Sequence, residues 1–160
     1  MLTKSGLLSR EQILSVSKNL DSDADDSKSA ARAFVLSESL TVFQAKQLLK
    51  GRWRGLVINN YKLMYPVGAG GMGYVYAAQE EGSEWLIALK VLADRCRNDA
   101  AMLTRIQLES EAGMRLKHPN ILRTWSADRF DDGHGEFHYV VMELVKGISL
   151  HEMVCLQKPV

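Results

Sequence analysis

The chain has 160 residues, 46% of them hydrophobic and 24% charged, with a net charge of +1. That balance predicts a soluble globular protein, one domain with room for a small extra module, and gives no case for a nucleic-acid partner. Cys96 and Cys155 are too few and too far apart for a disulfide framework or a metal cluster, which suits a reducing cytoplasm. No run approaches the roughly 18 apolar residues of a membrane helix, and the start lacks a signal-peptide core.

Residues 1–58 read as a helical module of about three short helices. Ser9-Arg10-Glu11-Gln12 has capping-box spacing, with Ile13, Leu14, Val16 and Leu20 as the following helix face. The acidic run from Asp21 to Ser27 is a loop, or a poor start to a second helix through Ala30, Ala33, Phe34 and Leu36. Thr41-Val42-Phe43-Gln44 repeats the capping-box spacing, and Gly51 sits where a helix C-terminus favours glycine. Arg52-Trp53-Arg54 lacks a wider basic patch, so it reads as a linker whose tryptophan packs on the strands that follow.

From Tyr61 to Val91 the sequence gives a strand, a glycine loop, a second strand, a polar turn and a third strand. Gly68, Gly70 and Gly73 make G-x-G-x-x-G, a weak signal by itself because several phosphate sites and many plain loops contain it. A dinucleotide fold would start a helix next, but Tyr74-Val75-Tyr76 favours a strand. A Walker loop would need Lys-Ser or Lys-Thr after its last glycine, and none follows. Glu80-Glu81-Gly82-Ser83 is a turn between strand-like runs, so the loop belongs to an antiparallel hairpin. The phosphate pattern that remains is G-x-G-x-x-G-x-V followed by V-A-I-K, here Gly68 to Val75 and then Ile87-Ala88-Leu89-Lys90.

These motifs resemble those of bacterial-type serine/threonine protein kinases, over roughly Tyr61 to Met153. The resemblance implies an α+β fold: a five-stranded antiparallel sheet with one long helix, the kinase small lobe, in residues 59–160. It implies that the loop Gly68, Ala69, Gly70, Gly71, Met72 and Gly73 covers the phosphates of ATP. Lys90 would hold the α- and β-phosphates and pair with a helix glutamate.

Asn98 to Lys117 reads as that helix, capped by Asn98 or Asp99 and ended by His118-Pro119. Met102, Ile106, Gly113 and Leu116 fall within about 80° of one another on a helical wheel. Glu109 lies inside this stripe and Glu111 points away. A carboxylate on a buried face needs a partner, and Lys90 is the candidate.

Beyond the helix, Ile121–Ala127 and Phe137–Glu143 read as strands four and five, joined by a turn at Asp131–Gly135. His134 and His138 lack a third ligand or a paired carboxylate at useful spacing and read as solvated residues. Val141-Met142-Glu143-Leu144-Val145 resembles the kinase hinge. By that resemblance Met142 is the gatekeeper, the Glu143 carbonyl and the Val145 N–H hold the adenine, and Val67, Val75 and Ala88 roof it. Gly147-Ile148-Ser149-Leu150 looks like the start of the next kinase helix.

Nothing in the chain resembles His-Arg-Asp-x-x-x-x-Asn or Asp-Phe-Gly, which carry the base and the magnesium ligands in kinases. Two function classes follow. In the first, the chain is the ATP-binding part of a kinase that phosphorylates protein Ser/Thr, with a large lobe and magnesium ligands outside the chain, and is inactive alone. In the second, it is a free-standing, pseudokinase-like regulatory or interaction module. Retention of Gly68, Gly70, Gly73, Lys90 and Glu109 favours the first. In either case the face around the hinge and the Leu150–Leu156 segment is expected to self-associate or to take a partner.

Overall fold

The computed structural model describes residues 1–18, 26–97 and 99–156. Four helices come first: α1 Leu2–Ser5, α2 Arg10–Ser17, α3 Ser27–Leu36 and α4 Val42–Leu49. Then follow β1 Val57–Ile58, β2 Tyr61–Gly70, β3 Gly73–Glu80, β4 Leu86–Leu92, α5 Asp94–Arg97, α6 Ala100–Arg115, β5 Thr124–Asp131, β6 Glu136–Met142 and α7 Leu150–Leu156. Leu20, most of the acidic run after it, Asn98 as a cap and Lys158-Pro159-Val160 lie outside the described residues. No helix among the described residues is long and apolar enough to cross a membrane.

The strands form one antiparallel sheet in the order β1-β2-β3-β4-β6-β5. It has six strands, where five were predicted. The addition is β1, two residues paired to the start of β2 and too short to leave a periodic signal. Among its described residues the extension holds four helices where about three were predicted, because Leu2–Ser5 forms a single turn closed by Gly6 in the left-handed region. The predicted fourth strand, Ile121–Ala127, is β5 here and starts and ends later, at Thr124 and Asp131. The long helix is shorter, 16 residues from Ala100, with the Asp99 side chain accepting from the Met102 N–H.

Cross-strand partners share a face of a sheet, so the register sorts the side chains. Leu89, Val91, Tyr139 and Val141 share one face with Ala78 and Phe137, and this core is sealed by Ile58, Leu63 and Phe43. On the opposite face Leu92 and Val140 pack against Ile106 of α6 and Cys96 of α5. The extension has its own core of Leu7, Phe34, Leu40 and Leu56. Phe43 touches both cores, its ring 5.8 Å from Tyr76.

Both predicted capping boxes are present. The second also docks its helix. Thr41 Oγ1 accepts from the Gln44 N–H and donates to the Met64 carbonyl at 2.7 Å. Gln44 Oε1 accepts from the Thr41 N–H, while its Nε2 donates to the Leu63 carbonyl at 2.8 Å. Gln44 is only 3% exposed, so no water replaces those bonds if the amide is removed. Gln44→Ala should therefore strip the Thr41 N–H and the Leu63 carbonyl of these partners while the Thr41 cap bond survives, for a total of roughly 2–3 kcal/mol in urea unfolding. At the other end of α4, Gly51 has φ 76°, and the Gly51 and Arg52 N–H groups donate to Leu48 and Gln47, the double bond of a Schellman cap.

The linker clamps onto the β5–β6 hairpin. Arg54 grips Asp132 with two bonds, Nε to Oδ2 at 2.5 Å and Nη2 to Oδ1 at 2.9 Å. Its guanidinium and that of Arg97 each stack on Phe137, at 5.2 and 4.7 Å from the ring centre. Trp53 meets His134 of the hairpin turn edge to face at 6.0 Å. Arg54 holds the Asp132 carboxyl below its ordinary range, and the His134 N–H adds to this. A depressed folded-state pKa means the pair stabilises above the unfolded value, about 3.9, and the contribution is lost as pH falls through the folded value. We expect Asp132→Asn to lower stability at pH 7 by up to about 1 kcal/mol. The gap to the unmodified chain should close on acidification below pH ~3.9, as read by thermal melts across pH.

Candidate functional site

The glycine loop forms the predicted hairpin: Gly70 pairs with Gly73, and Gly71-Met72 make the turn. The three motif glycines are not equivalent. A Cβ on Gly73 (φ 152°) would lie 2.1 Å from the Val91 carbonyl oxygen, so this position excludes any side chain. Around Gly68, Gly70 and Gly71 nothing lies within 4 Å of such a Cβ. The fold itself does not demand glycine there. Their bare backbone is accessible from outside, as a phosphate cradle requires.

The sheet register brings Val75, Ala88, Lys90 and Met142 onto one face. Val75 is opposite Lys90, and Ala88 is opposite Met142, with Lys90 also opposite Val140. Val67 falls in the irregularity between Pro66 and Gly68 and is exposed. Beyond β6 the Glu143 N–H donates to the Arg123 carbonyl at 2.9 Å. Among the described residues neither the Glu143 carbonyl nor the Val145 N–H has a hydrogen-bond partner, which leaves one acceptor and one donor along the hinge.

Lys90 and Glu109 do not meet. Glu109 Oε1 pairs with Arg105 Nε at 2.8 Å on the outer side of α6, its side chain half exposed. Ser110 takes the buried position instead, beside Ile106 and the half-buried Leu103. Successive helix residues point about 100° apart, so a buried Ser110 turns Glu109 outward. Leu116, counted in the predicted stripe, is exposed, and Glu111 is half-buried and accepts from Gln107 at 3.1 Å. Lys90 Nζ lies instead 3.9 Å from Met72 Sδ. His138 also differs from expectation, since its Nε2 bonds Glu136 Oε2 at 2.9 Å.

Sequence reasoning missed α5 and what it holds. Arg95 Nη2 donates to the Gly71 carbonyl. The Ala93 N–H and the Cys96 thiol donate to the Met72 carbonyl, at 3.0 and 3.5 Å. Asp94 and Arg97 pair at 2.7 Å with i,i+3 spacing, the one local signal for this helix. A cleft of about 440 Å³ between α6 and β5–β6 and another of about 610 Å³ beside α2 and β1 contain none of the predicted nucleotide residues. No group of three or more His, Cys, Asp or Glu among the described residues is arranged to hold a metal ion.

A curled antiparallel sheet, a glycine hairpin on its first two long strands, a lysine on the strand that follows them, and a single long helix have the architecture of a protein-kinase small lobe. Its similarity is to serine/threonine-protein kinases of bacteria. The chain is 30% identical over 103 residues to serine/threonine-protein kinase PrkC of Bacillus subtilis, covering 64% of this chain and 15% of that protein. It is 33% identical over 105 residues to PknE of Mycobacterium tuberculosis, covering 66% of this chain and 18% of that protein. Among solved structures, the M. tuberculosis PknI kinase domain superposes with a TM-score of 0.55 at 31% identity, over 66% of this chain and 41% of that one. No protein-family model matches the chain. The chain thus spans less than a fifth of these curated relatives and about two fifths of the PknI kinase domain.

Proposed function

We propose that this chain supplies the nucleotide-holding half of a protein kinase that transfers phosphate from MgATP to protein serine or threonine. The observation that carries the reading is the common face of Val75, Ala88, Lys90 and Met142, ending at a hinge with a free acceptor and donor. Val67, Val75 and Ala88 cover the adenine, Met142 bounds its inner edge, and Glu143 and Val145 hold it through their backbone. Gly68, Ala69, Gly70, Gly71, Met72 and Gly73 cover the phosphates, and Lys90 neutralises them. In phosphoryl transfer such groups act by positioning and charge, and Lys90 completes its role when α6 turns Glu109 inward. Magnesium arrives on the nucleotide.

A titration with MgATP, followed through backbone amide resonances, tests the reading. Shifts concentrated at 68–73, Lys90 and Val145 are expected. Shifts confined to the extension would refute it.

A second observation bears on partners. Val145, Ile148 and Leu150 are 66%, 57% and 75% exposed, a strip running from the hinge into α7. We assign this strip to a covering protein surface, a second kinase lobe or a second copy of the chain. Light scattering should show concentration-dependent association that Ile148→Glu and Leu150→Glu together abolish. A monomer at every concentration would argue against a second copy.

A further inference from the structure

The tip of the glycine hairpin is fastened down, and the fastening competes with the site it covers. Two successive carbonyls, Gly71 and Met72, accept three hydrogen bonds from the 93–96 segment: from Arg95, from the Ala93 N–H and from the Cys96 thiol. The Met72 side chain turns inward and packs with Leu92, Cys96 and Ile106, alongside Met102 and Leu103 of α6. Its sulfur rests 3.9 Å from Lys90 Nζ. Met72 therefore lies between the sheet and the helix, in the gap Glu109 would have to cross to reach Lys90. Glu109 is meanwhile held on the outer side by Arg105.

We propose that Met72 and Arg95 form a latch that closes the glycine hairpin onto Lys90, so that the lysine is open to an anionic partner only when the tip lifts. The anion is Glu109 or the phosphates of a nucleotide; the second rests on the functional reading above, the latch itself does not. Its parts have different weights. Arg95 is exposed, and its bond to a carbonyl is the weaker part. The thioether is the stronger part: it fills an irregular apolar gap and its stem has three rotatable bonds, so it leaves and re-enters without strain in the backbone. Lifting the tip uncovers two groups together, the half-buried Lys90 and the fully buried Cys96.

That coupling supplies the test, on the full chain without nucleotide. Lys90 is acetylated with an N-hydroxysuccinimide ester and Cys96 alkylated with iodoacetamide, both followed by peptide mass spectrometry, with the exposed Cys155 as internal reference. Met72→Ala should raise both rates roughly tenfold relative to Cys155, the effect of a shifted local opening equilibrium. Met72→Leu, which keeps the packing, should stay within about twofold. Arg95→Ala removes only a surface contact and should raise both rates by roughly threefold with an unchanged melting temperature. Unchanged Lys90 and Cys96 rates in Arg95→Ala and Met72→Ala overturn the latch; if Met72→Ala unfolds, Arg95→Ala alone decides. Adding MgATP separates the two readings. Slower Lys90 acetylation with faster Cys96 alkylation supports both. Latch variants that respond as expected in a chain that binds no MgATP keep the latch and remove the nucleotide reading. MgATP binding that leaves Cys96 fully protected removes the latch and keeps the nucleotide reading.

Discussion

Gly73→Ala should destabilise the fold by about 3 kcal/mol or more, whereas Gly68→Ala and Gly70→Ala should leave it within about 1 kcal/mol of the unmodified chain. The difference is steric. A Cβ on Gly73 meets the Val91 carbonyl oxygen at 2.1 Å and backbone atoms of Leu92 and Ala93 at 3.0 Å. All three are backbone atoms, so relief requires the hairpin to separate from the end of β4. That opening also breaks the Ala93 N–H bond to Met72 and withdraws Met72 from its apolar cluster. Gly68 and Gly70 meet nothing, and alanine in a strand loses less backbone entropy on folding than glycine. Their cost should appear in ligand affinity instead, because a methyl group there stands between the backbone N–H groups and a phosphate. Urea unfolding of the three variants, with MgATP titration of the two stable ones, checks both halves. Equal unfolding midpoints for all three would contradict the distinction.

Lys90→Met separates stability from binding in the opposite sense. Among the described residues the Lys90 ammonium has no carboxylate within ion-pair distance and lies 3.9 Å from the Met72 sulfur, so its removal leaves no buried charge unpaired there. The melting temperature should hold or rise slightly, since a thioether suits the apolar neighbourhood of Leu92, Met72 and Ile106. Affinity for MgATP should fall on the order of a hundredfold, about 2.7 kcal/mol, the scale of a lost charge-assisted contact to phosphate. Glu109→Gln should cost less, because Glu109 already has Arg105 and reaches Lys90 only after α6 turns. Calorimetric titration and thermal melts of the same samples read both quantities. A marked loss of stability in Lys90→Met would mean that Lys90 holds a buried partner in solution.

What was legible in the sequence was local. Ser9 with Gln12 and Thr41 with Gln44 are capping pairs because their atoms meet within one turn, and both boxes form. The hairpins of β2–β3 and β3–β4 follow from turn residues between β-favouring runs. The register then places Val75, Ala88, Lys90 and Met142 together with no long-range assumption beyond antiparallel pairing.

The parts that were not legible depend on tertiary choices. Gln44 is a cap in the sequence, but its bond to Leu63 exists only because α4 lies against β2. The rotation of α6 is decided by a serine: Ser110 is buried, and a hydrophobicity pattern gives no weight to it. Gly113 does lie where the stripe predicts, and its reason is close approach, since a Cβ there would lie 2.8 Å from Thr124 Oγ1 of β5. Helix α5 is four residues long, below the length at which periodicity carries information, yet it holds the hairpin tip.

The central claim is that a nucleotide's phosphates lie against Lys90 beneath the glycine hairpin. An ATP analogue carrying an acyl group on its terminal phosphate transfers that group to an amine within reach, and peptide mass spectrometry then locates it. The account predicts acylation at Lys90 above every other lysine, suppressed by excess MgATP and not by an equal concentration of inorganic phosphate. Label spread over exposed lysines such as Lys46 and Lys50, with Lys90 no more modified than they are and no protection by MgATP, would contradict it.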